Sequence, residues 1–256
     1  MTVFSTIQLV DAIANQEPEV CLASGYYPLE AQLNLTRSIR LTAVEPGGVR
    51  IDAQGSEAVP RRVMRVWKGA TVVLTGLVLT GGWAPRDWVD PPPGDPFTKW
   101  SQGGGILNEG ELTLDRCEVA NNQADNYGGG LYNKQGNVTI SGGSVVANNT
   151  AGWDGGGLYN DGDAMTLDGA LVYNNSPFDL DGRATYVLPA PLGYYLDGVF
   201  NCTEQKCCPE DKPNCRDSEK EPCRVQNCAP AYYNKRIAVL EPGSHKDVPP
   251  KCAAGY

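Results

Sequence analysis

The chain is 256 residues long, carries a net charge of −9 and a pI of about 4.7, and contains no run of lysine or arginine. That excludes the electrostatic footprint of a nucleic-acid binder, whose affinity comes from basic groups that displace counterions, and no apolar stretch is long enough to span a bilayer. The 30 glycines and 19 prolines against four phenylalanines point to many tight turns and few long helices, hence to an all-β chain.

Residues 1–19 read as an N-terminal cap. Ser5 or Thr6 can cap a short helix, and Ile7, Val10, Ala12, Ile13 and Ala14 supply most of an apolar face. The opening MTVFSTIQLVDAIANQ has neither the basic start nor the continuous apolar centre of a secretory signal, so the segment is expected to be cut from a longer precursor, the alternative being that the protein is not exported. From Val20 the period changes to two. LNLTRSIRLTAV, VRIDAQG and ATVVLTGLVLTGG alternate apolar and polar residues between glycine-bearing turns, as short strands do. An insertion, residues 83–102, interrupts the pattern with a proline-rich stretch holding Trp83, Trp88 and Trp100.

Three similar units follow: GGGILNEGELTLDRCEVANN, GGGLYNKQGNVTISGGSVVANN and GGGLYNDGDAMTLDGALVYNN. They open at Gly103, Gly128 and Gly155, 25 and then 27 residues apart, and each contains three strand-like pieces. The reading is one coil per repeat. Residues 20–185 are predicted to form a right-handed, single-stranded parallel β-helix of roughly five or six coils. Leu112 and Leu114, Val138 and Ile140, and Met165 and Leu167 take matching inward places, as do Ile106, Leu131 and Leu158. Asn108, Asn133 and Asn160 are expected to ladder at one corner. Asn121, Asn148 and Asn174, with their neighbours Asn122, Asn149 and Asn175, are expected to ladder at another, because asparagine tolerates left-handed corners and its amide can bond to an amide one coil away.

The register GGG-[IL]-x-N followed by V-x-N-N, preceded by LTGLVLTGG, resembles pectin-lyase-like β-helices of the polymorphic outer-membrane-protein type and related algal and protist cell-surface proteins. The resemblance covers about residues 1–180 and implies a fold and a surface role; it carries no reaction. Residues 186–256 are polar and proline-rich and hold Cys202, Cys207, Cys208, Cys215, Cys223, Cys228 and Cys252. Such a segment needs cross-links to build a core, and it is similar to small cysteine-rich modules of the ephrin-receptor or growth-factor kind. Disulfides among these cysteines imply an oxidising compartment, with one of the chain's nine cysteines left over. Sequons at Asn34, Asn137, Asn148 and Asn201 fit an extracellular or cell-surface location, and Pro177 weakens a fifth at Asn174.

A catalytic β-helix would need converging acids with calcium or a basic residue beside them. Asp115, Asp161, Asp163, Asp168, Asp179 and Asp181 are the available acids, and NDGDAMTLDG around Asp161 and Asp163 is the stretch that would hold calcium; turn preference explains those aspartates as well. Arg116 and Arg183 are expected on solvated faces, and the sole histidine, His245, falls outside the repeats. No other cofactor is expected, and the cysteine spacing is not that of a zinc site. Outward threonines at Thr113, Thr139 and Thr166 are expected to fill the strand face.

Aromatics recur on one edge: Trp83, Trp88 and Trp100, then Tyr127 and Trp153 just before successive glycine triplets, with Asp87, Asp90, Asp125 and Asp154 nearby. Flat rings beside carboxylates suit pyranose stacking and hydroxyl recognition; the same tryptophans would equally pin the insertion to the wall. The expected function is a non-catalytic surface module for structure or adhesion, partnered by glycans or by other cell-surface or coat proteins. A polysaccharide lyase, epimerase or hydrolase, and a structural subunit of a larger assembly, are the alternatives.

Overall fold

The computed structural model describes residues 1–85 and 101–182, and the backbone of 185–187. Strands pair in parallel in four sheets. The first sheet orders Thr2–Val3, Glu19–Leu22, Ile39–Ala43, Thr71–Thr75, Glu111–Asp115, Asn137–Ser141, Ala164–Leu167 and Thr185–Val187. The second runs from Gly25–Pro28 through Val49–Asp52, Leu77–Thr80, Glu118–Ala120 and Val145–Ala147 to Leu171–Tyr173. The third runs from Leu33–Leu35 through Met64–Val66, Ile106–Asn108, Leu131–Asn133 and Leu158–Asn160 to Leu180–Gly182. A narrow fourth sheet joins Trp83–Ala84, Gln123–Ala124 and Thr150–Ala151. From Glu19 to Gly182 the chain therefore visits first, second and third sheets in turn and stacks each visit on the one before, an arrangement compatible with a parallel β-helix-like fold.

The register follows the apolar alternation. Leu112 aligns with Val138 and Val138 with Met165; Leu114 aligns with Ile140 and Ile140 with Leu167. These side chains join Ile106, Leu131 and Leu158 in one continuous buried core, because alternate residues of a strand fall on one face and stacked strands put equivalent faces together. Thr113, Thr139 and Thr166 align on the opposite face and are half-buried.

Glycine triplets allow the sharp passage into the third sheet. Their first members, Gly103, Gly128 and Gly155, have φ of 64°, 63° and 58°, a region that favours glycine. At the middle member the cause is space: a Cβ on Gly129 would lie 2.2 Å from the Thr150 carbonyl oxygen, and one on Gly156 would lie 2.1 Å from that of Ser176.

The N-terminal helix, Thr6–Ala14, is capped by Ser5, whose hydroxyl accepts from the Gln8 amide at 3.3 Å, while Gln8 Oε1 accepts from the Phe4 amide at 2.7 Å. Its buried face differs from the expected one. Leu9 and Ala12 enter the core with Ile13 packed beside it, whereas Ile7, Val10 and Ala14 are exposed. Two stripes of apolar residues run along this helix; the one with Leu9 and Ala12 faces the core, and the residues just before the helix, Thr2–Val3, pair with Glu19–Leu22. Trp83 also departs from expectation: it belongs to the fourth sheet, in register with Gln123, rather than to an excursion from it.

Candidate functional site

The two asparagine corners differ. Asn108 Nδ2 donates to Asn133 Oδ1 at 2.8 Å and Asn133 Nδ2 to Asn160 Oδ1 at 2.7 Å, each side chain fully buried. At the other corner the ladder passes through the second asparagine of each pair, not through Asn121, Asn148 and Asn174. Asn122 Nδ2 donates to Asn149 Oδ1 at 3.0 Å, Asn149 Nδ2 to Asn175 Oδ1 at 2.9 Å, and Asn175 Nδ2 to Asp179 Oδ1 at 2.8 Å. Asn121, Asn148 and Asn174 are exposed with φ of 57°, 56° and 54°. Side chains one residue apart on a bend point to opposite sides, so one member turns the chain and the other bonds inside. Asp179 closes the ladder. Burial pushes its carboxyl up while the Asn175 backbone and side-chain hydrogen bonds pull it back, and its Oδ2 is buried without a partner.

Outside the core, residues between the inward positions of the third sheet line up as Asn34, Arg65, Leu107, Tyr132, Tyr159 and Asp181. Leu107, Tyr132 and Tyr159 make a second buried cluster with half-buried Tyr127 against it. Tyr127 lies 4.5 Å from the Tyr159 ring and 5.3 Å from Trp153, edge-on at 78°, and Tyr132 stacks on Tyr159 at 5.4 Å. Such offset and edge contacts suit the ring quadrupoles. Trp153 remains 49% exposed. Tyr127 and Asp154 are bridged as register partners, and the Gly152 amide donates to the Ala124 carbonyl, which sets Asp125 and Trp153 on adjacent rungs.

Farther along the same wall, Glu109 is held by two cations. Arg65 Nη2 and Nε reach Glu109 Oε2 at 2.8 and 3.0 Å, and Lys134 Nζ reaches Oε1 at 3.1 Å. The Arg65 guanidinium lies 3.7 Å over the Trp67 ring, whose Nε1 donates to Asn34 Oδ1 at 3.4 Å. Tyr132 donates its hydroxyl to Asp161 Oδ2 at 3.1 Å. Two carboxylates on this wall, Glu109 and Asp161, are thus already engaged.

The structure therefore brings Tyr127 and Trp153 together, with Asp125 and Asp154 beside them, but not Trp83, whose strand lies in register with Gln123 and Thr150. Trp88, Trp100, Asp87, Asp90, Arg183, Asn201, His245 and the cysteines from Cys202 to Cys252 lie outside the described residues. Tyr132, Tyr159, Trp67, Arg65 and Glu109 were not singled out from sequence; the repeated GGGLYN, with tyrosine between two inward residues, is the signal for the first two. Of the acids considered for calcium, Asp161 accepts from Tyr132, Asp163 is exposed, Asp181 accepts from the Gly182 amide and Asp179 ends the ladder. Among the described residues no group of three or more histidine, cysteine or acidic side chains is arranged to hold a metal ion. Asp115 pairs with Arg116 at 3.2 Å.

Of the sequons, Asn34 and Asn148 are exposed, whereas Asn137 is half-buried and its amide donates to Glu111. Cys21 is disulfide-bonded. Among the described residues the free cysteine is Cys117, buried, with its thiol pushed up to about 12 chiefly by burial. No described helix is long and apolar enough to cross a membrane. No protein-family model, no curated protein and no solved structure matches the chain.

Proposed function

We propose that the chain is a non-catalytic structural and adhesion module of the extracellular space or cell surface. In this reading it is a single right-handed parallel β-helix of pectin-lyase type, followed by a cysteine-rich segment, and it contacts glycans through the corner around Trp153. The half-exposed Trp153 ring, held edge-on by Tyr127 with Asp125 and Asp154 on neighbouring rungs, carries the reading. A ring so fixed stacks on the C–H face of a pyranose at little entropic cost, and adjacent carboxylates accept hydroxyl hydrogen bonds. The net charge of −9 favours neutral over acidic glycans. The disulfide at Cys21 and the exposed sequons at Asn34 and Asn148 support an oxidising, secretory route.

The test is a glycan array probed with wild type and Trp153→Ala. Binding that falls about tenfold or more in the variant, as expected for loss of one stacking anchor, supports the glycan contact. Absence of binding, or binding that Trp153→Ala leaves intact, removes it. Unsaturated products released from pectin or alginate would overturn the non-catalytic reading.

A further inference from the structure

Four of the seven exposed large apolar side chains among the described residues converge beside the N-terminal helix: Phe4 at 69%, Ile7 at 74%, Val10 at 45% and Tyr26 at 53%. All four line a groove of about 960 Å³ between the N-terminal helix and residues 26–39. The helix already buries Leu9 and Ala12 on its other face. A helix apolar on both faces is normally covered on both, and a concentrated exposed apolar patch marks a contact site.

Three observations choose the occupant. The groove is rimmed by Asp11, Glu17 and Glu30 against a single cation, Arg37, so it favours a basic partner. A second copy, with its net charge of −9, would bring like charge to this rim. Finally, the bordering strands, Gly25–Pro28 and Leu33–Leu35, are the terminal strands of their sheets but offer poor edges: one contains a proline, without an N–H, and the other has only three residues. Short, proline-bearing edges resist strand addition, whereas a helix satisfies its own backbone and needs only an apolar trough.

We propose that the groove between the N-terminal helix and residues 26–39 is a docking site for a basic amphipathic helix of a partner protein, its apolar stripe lying against Phe4, Ile7 and Val10 and its lysines or arginines facing Asp11, Glu17 and Glu30. This is the helix-in-groove mode, anchored at i, i+3, i+4 and i+7.

The probe is a synthetic peptide of about 18 residues with leucine at those anchor positions and lysine elsewhere, compared with an analogue carrying glutamate for each lysine and with one broken by a central proline. Fluorescence anisotropy on the whole chain should show binding of the lysine helix that weakens with salt, at least about tenfold weaker binding by the proline-broken peptide, and none by the glutamate analogue. Ile7→Asp and Val10→Asp, at exposed positions, should each weaken binding about tenfold or more while the circular dichroism melt, recorded beside it, shows the fold retained. Glu30→Lys should weaken it less, and Glu118→Lys, on the exposed face of the second sheet, should have no effect. The proposal fails if the lysine helix does not bind, if Ile7→Asp binds as tightly as wild type, or if the proline-broken peptide binds equally. It also fails if sedimentation shows wild type self-associating through this face while Ile7→Asp stays monomeric.

Discussion

Replacing Asn149 by alanine isolates the contribution of a single rung. Its side chain is 1% exposed. Its Oδ1 accepts from the Asn122 amide and Nδ2, both at 3.0 Å, and its Nδ2 donates to the carbonyls of Val119 at 2.9 Å and Ala147 at 3.1 Å and to Asn175 Oδ1. Asn149→Ala keeps the backbone but leaves the Asn122 N–H and two buried carbonyls without this partner. An orphaned buried polar group costs about 1–3 kcal/mol, and some of these groups retain other bonds, so a loss of about 3–5 kcal/mol is expected. The adjacent Asn148 is the internal control: it is exposed with φ of 56°, so Asn148→Gly should cost about 0.5 kcal/mol at most and Asn148→Ala about 1 kcal/mol. Urea unfolding followed by far-ultraviolet circular dichroism, with the slope checked for constancy, measures all three. If Asn149→Ala falls within about 1 kcal/mol of wild type, or Asn148→Ala costs more than Asn149→Ala, the assignment of the ladder to the second asparagine is wrong.

Gly129→Ala places a Cβ 2.2 Å from the Thr150 carbonyl oxygen and 2.6 Å from that of Gly156; backbone cannot yield cheaply, so a loss of about 3 kcal/mol or more is expected. Gly143→Ala, with φ of 77° and nothing within 4 Å, should cost only about 1–2 kcal/mol, and paired thermal melts distinguish the two. Cys117 should resist iodoacetamide in the native protein at pH 8 and react on unfolding, while Cys21 should react only after reduction. Because the Cys117 thiol is raised from 9.0 to about 12, the folded state holds that proton more tightly, and its contribution to stability is lost as pH rises from about 9 toward 12. Asp179 has the same sign at acid pH: its carboxyl is raised above 3.8 by burial, so wild type should lose stability relative to Asp179→Asn as pH climbs above 3.8, and a difference that stays constant from pH 4 to 7 refutes this.

Much of the fold was legible because its signals are local. The alternation in ELTLD, NVTIS and AMTL placed Leu112, Val138 and Met165 on one face, and the recurrence of GGG-x-x-N placed Asn108, Asn133 and Asn160 at one height. The aromatic corner was legible only in part. Tyr127 and Trp153 are marked by position before each triplet, but nothing local marks Tyr132 and Tyr159 as part of that corner; the stacking of Leu131–Asn133 on Leu158–Asn160 brings them against Tyr127. Arg65 and Glu109 are 44 residues apart with the insertion between them, and nothing local pairs them.

Strand period, repeat length and the places where glycine must turn are properties of a few consecutive residues, and amino-acid order alone determined them. Tertiary structure decided which asparagine of each pair enters the ladder, which stripe of the N-terminal helix is buried, and which rings share a corner. Each of those outcomes depends on how one element is set against another, a relation between residues about a repeat apart or more that no local window contains.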